Sequence, residues 1–238
     1  MSGFISGMIS RAAPGAALFI CAVALICGAF LFSMTVSHSQ ANRDDSLIVA
    51  ARRGDIAAMK KLLGEGAGVK ARDGGGRTAL LAATHGNHVE SARLLIAAGA
   101  DVNAKDNMED SAFLYAGAEG RNEILKMTLA AGADLKSTNR YGGTALIPAA
   151  HHGHPETVKI LLATAIDKDH VNKLGWTALL EAVMLGDGGK THTEIVRLLI
   201  EAGANPSLAD RDGVTPLAHA KKQGFAAMSR ILEQAGAK

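Results

Sequence analysis

Hydrophobic residues return along most of the chain at helical spacing, in short segments separated by polar turns. In segment 90–96, apolar side chains recur every three or four residues, which predicts an amphipathic helix. Gly99 and Ala100 follow it, and the polar stretch 101–105 predicts a turn. Because this alternation of helix and turn continues down the chain, the fold class we expect is all-α.

The alternation is a repeat of 33 residues. Similar blocks begin at Asp73, Asp106, Asn139, Asn172 and Asp210. Five extra residues, 187–191, explain the one longer interval. A period of this length is typical of a solenoid, in which stacked units bury a continuous core. We therefore predict repeats at about 44–72, 73–105, 106–138, 139–171, 172–209 and 210–238.

Each block is predicted to hold two helices. A hydroxyl residue five positions after the block start is expected to cap the first helix. These residues are Thr78, Ser111, Thr144, Thr177 and Thr215. A Gly, or Asn87 in the second block, is placed to end that helix in the left-handed conformation.

These motifs resemble the ankyrin repeat family. Segment 215–220 (Thr-Pro-Leu-Ala-His-Ala) is similar to the family's helix-start motif, 153–162 to its second helix, and 99–103 to its exit turn. The resemblance covers about residues 44–237. It implies an all-α ankyrin-repeat solenoid of about six helix-turn-helix repeats with short β-hairpin turns, within an ankyrin-repeat domain at 42–238.

The third repeat departs from the pattern. Glu109 stands where other turns have Gly, and Thr128 stands in a row of Leu residues. We expect this repeat to be the softest joint of the solenoid.

Residues 1–41 have a different pattern. Positions 16–32 are all apolar or Gly, Arg11 precedes them, and acidic residues follow at 44 and 45. Two interpretations stay open: a cleaved signal peptide with a small-x-small site at 39–41, or an uncleaved transmembrane signal anchor. Both export the body, with the N-terminus inside. We expect a bacterial, periplasmic protein, soluble after cleavage or anchored in the inner membrane.

Composition excludes several classes of site. Aromatic residues make up 4% of the chain, and both Cys lie in the first 32 residues. The body therefore has no disulfide framework and no Cys-ligated metal. The formal net charge is only +2, which argues against nucleic acid as the main partner. We expect no cofactor, and contact with a membrane only through the N-terminal segment.

No set of residues predicts catalysis, so we do not expect an enzyme. Segment 186–191 (Gly-Asp-Gly-Gly-Lys-Thr) resembles a phosphate loop but lacks its first Gly, so we interpret it as an inserted surface loop. His151, His152 and His154 lie close in sequence. They leave open an alternative function, a metal- or ligand-responsive regulator.

The remaining candidate is the surface that the first helices and the turns form, which the resemblance implies to be concave. Tyr, Trp and Met are favoured at binding interfaces. We predict a noncatalytic interaction module that binds a protein or peptide there. The predicted contact residues are Tyr115, Glu119, Tyr141, His151, His152, Trp176, Glu181 and Met184. A secreted effector that acts on another cell is a further alternative.

Overall fold

The computed structural model describes residues 39–238, and Arg43–Lys238 form one compact unit. Its helices, in chain order, are α1 (39–53), α2 (Ile56–Gly64), α3 (Ala79–His85), α4 (Val89–Ala97), α5 (Ala112–Ala118), α6 (Asn122–Ala130), α7 (Leu146–His151), α8 (Pro155–Leu162), α9 (Ala178–Met184), α10 (Lys190–Glu201), α11 (Pro216–Lys222) and α12 (Ala226–Gln234). Residues 1–38, which hold most of the predicted signal segment, lie outside the part of the chain that the structure describes. Within 39–238, no helix has the length and apolar character that crossing a membrane requires.

The helices are stacked in two layers. The first helices of successive repeats, α3, α5, α7, α9 and α11, contact one another in order, and the second helices do the same. Each first helix places one alanine at the same repeat position, and all five are fully buried: Ala83, Ala116, Ala149, Ala182 and Ala220. Because alanine has so little bulk, neighbouring helices approach closely. The predicted all-α solenoid is confirmed.

An Asp or Asn at the start of each block closes the turn between repeats. In the turn that begins at Asn172, one side-chain oxygen accepts from the N–H groups of Leu174 (2.9 Å) and Trp176 (3.0 Å). The Asn172 N–H donates to the Trp176 carbonyl at 3.0 Å. The other four turns repeat this arrangement with Asp73, Asp106, Asn139 and Asp210. Each is a tight turn closed by its Asp or Asn side chain. No strand occurs at residues 39–238, so the predicted short β-hairpin turns are not formed there.

Four of the five predicted hydroxyl caps form, and the cap at Thr144 does not. Thr177, for example, accepts from the Leu180 N–H at 3.2 Å. At Thr144 the hydroxyl has no partner, and α7 begins one residue later than its counterparts. The reason is Pro148, which has no N–H to donate to the Thr144 carbonyl. The Ile147 N–H makes that bond instead, at 3.2 Å, and tightens the first turn.

Lys and Arg side chains join several neighbouring repeats through backbone carbonyls. Lys105 donates to the Thr138 carbonyl at 2.7 Å, and Lys173 to the Arg140 carbonyl at 2.9 Å. Arg211 reaches the Lys173 carbonyl in the same way, at 2.5 Å. Most of the basic turn residues therefore satisfy backbone acceptors within the solenoid.

The inserted segment, interpreted from the sequence as a surface loop, forms a loop at residues 187–189 and then enters α10. It lengthens α10 to 12 residues. The carboxylate of Asp187 accepts from the Gly189 N–H at 2.8 Å and lies 3.2 Å from His192 Nδ1. Gly188 adopts a φ of +69° so close to the Phe225 ring that a Cβ there would clash at 2.3 Å.

The two departures in the third repeat are accommodated differently. Thr128 is fully buried, but its hydroxyl donates to the Leu125 carbonyl at 2.8 Å, so no polar group is left unpaired. Glu109 adopts a φ of +62°, in a turn position where Gly142 and Gly213 have +73° and +75°. A side chain strains the backbone in this region, because Cβ comes too close to the carbonyl oxygen.

Replacing Glu109 by Gly should therefore raise the free energy of unfolding by about 1 kcal/mol, because the strain is released. The reverse change at the matched position, Gly213→Ala, should lower it by about 1 kcal/mol. A Cβ at Gly213 meets no atom within 4 Å, so this control measures backbone strain without a clash. Urea unfolding followed by circular dichroism gives both values. If Glu109→Gly is neutral or destabilising, Glu109 is not strained.

Candidate functional site

A cleft of about 510 Å³ opens on the face formed by the first helices and the turns. Helices α5, α7 and α9 and the turns that precede them supply its lining. The lining residues are Asp110, Tyr115, Ala118, Glu119, Asn139, Arg140, Tyr141, Gly143, Ile147, Pro148, His151, His152, Asn172, Leu174, Trp176, Glu181 and Leu185. Its volume lies in the range that ligand-binding clefts usually have.

The structure brings seven of the eight predicted contact residues to this one cleft. They are Tyr115, Glu119, Tyr141, His151, His152, Trp176 and Glu181. The eighth, Met184, is half-buried and does not line it. Leu185 lines the cleft beside Glu181, because residues four apart share one face of a helix. Spacing alone does not separate the two, because Met184 is three residues from Glu181 and residues three apart are also neighbours on a helix, so no sequence signal favoured Leu185.

Glu181 forms the floor of the cleft. The repeat pattern places it at an exposed position of its helix, but in the structure it is buried. Its side chain is 6% exposed. One carboxylate oxygen accepts from the Asn172 amide at 2.9 Å, and the other lies 3.3 Å from His151 Nδ1. These partners come from the preceding turn and the preceding repeat, so the burial of Glu181 depends on contacts between repeats.

Burial governs the ionisation of this floor. It raises the pKa of Glu181 to about 6, although the hydrogen bond from Asn172 acts in the opposite direction. Burial also lowers the pKa of His151, and the neighbouring His152 and His192 add to this effect. Near neutral pH the floor therefore holds an ionised Glu181 beside a neutral His151. Burial raises the pKa of Asp110, and the carboxylate of Asp106 raises it further.

Aromatic rings surround the floor. The Tyr115 ring stacks on His85 in the preceding repeat, with 3.8 Å between ring centroids. Arg140 lies over the Tyr141 ring at 4.8 Å and donates to its hydroxyl at 3.1 Å. Trp176, the chain's single Trp, is half-buried in the turn that Asn172 closes. The side chains of Tyr115 and Tyr141 are therefore held in place without a ligand.

The three clustered histidines are engaged separately. His152 Nδ1 donates to the Ala118 carbonyl at 2.7 Å, which leaves its Nε2 as an acceptor in the neutral ring. The rings of His152 and His154 are 6.1 Å apart and nearly perpendicular. No three His, Cys, Asp or Glu side chains in the 39–238 region are grouped so that they could hold a metal ion. The arrangement does not favour the metal-responsive alternative.

Exposed apolar side chains concentrate at the cleft. Tyr141, Leu174 and Leu185 are 52%, 48% and 42% exposed, and all three line it. Met108 is 50% exposed and occupies the position in its turn that Tyr141 and Leu174 occupy in theirs. A patch of this kind on a folded domain is typical of an interaction site.

Comparison with known proteins supports the architecture. A family profile described as ankyrin repeats in three copies matches residues 20–106, 47–139, 113–210 and 168–238. The Escherichia coli (strain K12) ankyrin repeat protein YahD is 47% identical over 57 residues, which are 24% of this chain and 28% of that protein.

Solved structures extend the likeness. An ankyrin repeat domain from Acinetobacter baumannii AYE is 57% identical, with a TM-score of 0.79 over 81% of this chain and 98% of that one. A second match is in the structure of the predatory endopeptidase Bd0816 of Bdellovibrio bacteriovorus with the immunity protein Bd3460. It is 26% identical, with a TM-score of 0.68 over 79% of this chain and 97% of that one.

The raised pKa of Glu181 predicts a dependence of stability on pH. Between about pH 4.5 and about pH 6 the native state binds more protons at this group than the unfolded chain does. The stability from this group is therefore full below about pH 4.5 and is lost as pH rises through 6. Between about pH 4.5 and about pH 7.5, the wild type should lose on the order of 1 kcal/mol more of its unfolding free energy than Glu181→Gln does.

Urea unfolding of both proteins at the two pH values measures the effect. The lowered pKa of His151 acts with the opposite sign, so the difference between the two proteins, not the wild-type slope alone, is the test. Glu123→Gln, on the exposed surface of α6, is the matched control and should keep the wild-type slope. Equal slopes in the wild type and Glu181→Gln would contradict the assignment.

Proposed function

Because the chain belongs to the ankyrin repeat family, we propose that it is a noncatalytic interaction module whose cleft binds a segment of a partner protein. The single observation that carries this proposal is the cleft itself. It joins an acidic floor, three aromatic side chains and exposed apolar residues on one face of a rigid stack.

The physical argument is preorganisation. Tyr115 and Tyr141 are held by His85 and Arg140 before any partner arrives, so little side-chain entropy remains to be lost on binding. Large aromatic side chains in a cleft also supply most of the binding free energy at many interfaces. A chain similar to this one occurs in a complex of an endopeptidase with an immunity protein, which supports a protein as the partner.

The proposal is tested by selecting peptides from a displayed random library against the full-length protein in neutral detergent. Trp176→Ala and Leu185→Ala should each raise the dissociation constants of the selected peptides by about tenfold or more, since a central aromatic or aliphatic anchor contributes roughly 1–2 kcal/mol of binding free energy. Calorimetry gives the dissociation constants, and circular dichroism verifies folding.

Val49→Ala is the control, because Val49 is a 39% exposed apolar residue on α1 that does not line the cleft. It should bind like the wild type. Selected peptides that bind both cleft variants within about twofold of the wild type would contradict the proposal.

We also propose that the body is exported, as the apolar run at 16–32 and the acidic residues after it suggest. In a bacterial host, fractionation should find the protein in the periplasm or the inner membrane. Sequencing the mature N-terminus then separates the two interpretations: a start at residue 42 indicates a cleaved signal peptide, and an intact N-terminus in the membrane fraction indicates an anchor. A protein confined to the cytoplasm would contradict export.

A further inference from the structure

We infer that the cleft receives the positively charged side chain of a lysine or arginine of the partner. The N–H groups of that side chain donate to the carboxylates that line the cleft, those of Glu181, Glu119 and Asp110. This inference rests on the proposed function and names the group that the cleft recognises. An anionic group does not match the three carboxylates that line the cleft.

The lining offers acceptors that carry negative charge. Glu181, Glu119 and Asp110 all contribute carboxylates. The side chains beside Glu181 and Glu119 are histidines, His151 at 3.3 Å and His152 at 4.0 Å, which carry a positive charge only when protonated. Within residues 39–238, none of the three carboxylates forms a salt bridge with a lysine or an arginine.

Among the lining residues that the structure describes, Arg140 is the one Lys or Arg, and it offsets this charge only in part, because burial and the Asp106 carboxylate raise the pKa of Asp110 more than Arg140 lowers it. Arg140 is exposed at its turn tip and directs its guanidinium to the ring and hydroxyl of Tyr141. The basic neighbours Lys105 and Lys173 donate to backbone carbonyls of the adjoining turns. Three carboxylates therefore face one guanidinium and two histidines, and a ligand that carries positive charge is the complement.

The raised pKa values of Glu181 and Asp110 agree with this assignment. In each case burial is the main cause, so the negative charge is held where water compensates it poorly. A cation that binds beside them would favour the ionised forms.

Aromatic faces complete the site. Cations are attracted to the faces of Trp and Tyr, and the effect strengthens where water is excluded. Tyr115, Tyr141 and Trp176 all line the cleft. Arg140 already shows that this rim accepts a guanidinium, at 4.8 Å from the Tyr141 ring centroid.

The test uses Trp176, the chain's single Trp, as the reporter. The full-length protein in neutral detergent is titrated with the capped tripeptides acetyl-Gly-Lys-Gly-amide and acetyl-Gly-Arg-Gly-amide, and Trp fluorescence is recorded. At least one of the two should saturate, with a dissociation constant on the order of 1 mM. The same peptides with norleucine or glutamate in the middle should bind at least about tenfold more weakly.

Glu181→Gln should weaken the cationic peptide by about tenfold, since a charge-assisted hydrogen bond is lost. Glu119→Gln is a second variant that leaves the buried Glu181 in place, because the Glu119 side chain is 38% exposed. It should weaken the binding of the cationic peptide several-fold. The control is Glu123→Gln, whose side chain is 65% exposed on α6, and it should bind like the wild type.

Three outcomes would overturn the inference. The norleucine peptide could bind as well as the lysine peptide, or Glu181→Gln and Glu119→Gln could both bind the cationic peptide like the wild type. The third outcome is that butylammonium binds as tightly as the lysine peptide. The last would assign the site to a small amine. If the library peptides still depend on Trp176 and Leu185 while lysine and arginine can be replaced freely, the proposed function stands and this inference alone fails.

Discussion

The close approach of neighbouring first helices is the constraint on which the rest of the structure depends. It requires a small residue at one position of every first helix, and five fully buried alanines supply it. Gly117 shows how little room remains elsewhere, because a Cβ there would come within 2.8 Å of the Ala145 Cβ. Tyr115 and Trp176 do not lie at these tight positions, and both line the cleft.

The same constraint explains which parts of the molecule the sequence could predict. The helix pairs, four of the caps and the all-α class follow from patterns that recur in phase, and each depends on contacts within one repeat. The cap at Thr144 fails because of Pro148, which a pattern of cap residues does not take into account. The sequence pattern does not predict the burial of Glu181, because that burial needs His151 from the preceding repeat.

Asn172 connects the scaffold to the site. Its side-chain oxygen closes a turn, as the aspartates of three other turns do, while its amide donates to Glu181 nine positions later. An aspartate cannot donate, and at this position it would face a second carboxylate. The last repeat has the reverse arrangement across the same interval: Asp210 Oδ2 lies 2.7 Å from His219 Nε2. In both repeats the turn residue and the helix residue are complementary as donor and acceptor.

This complementarity has an evolutionary consequence. In both repeats the residue at this position of the first helix is matched by a partner nine positions earlier, and in the fifth repeat that residue, Glu181, lies in the cleft. Because Glu181 also contacts His151 of the preceding repeat, a change of the pair Asn172 and Glu181 that remains compatible with His151 can alter the charge of the floor while the turn and the buried alanine remain as they are. Such a scaffold can acquire a new ligand by small matched steps that keep the turns and the buried alanines.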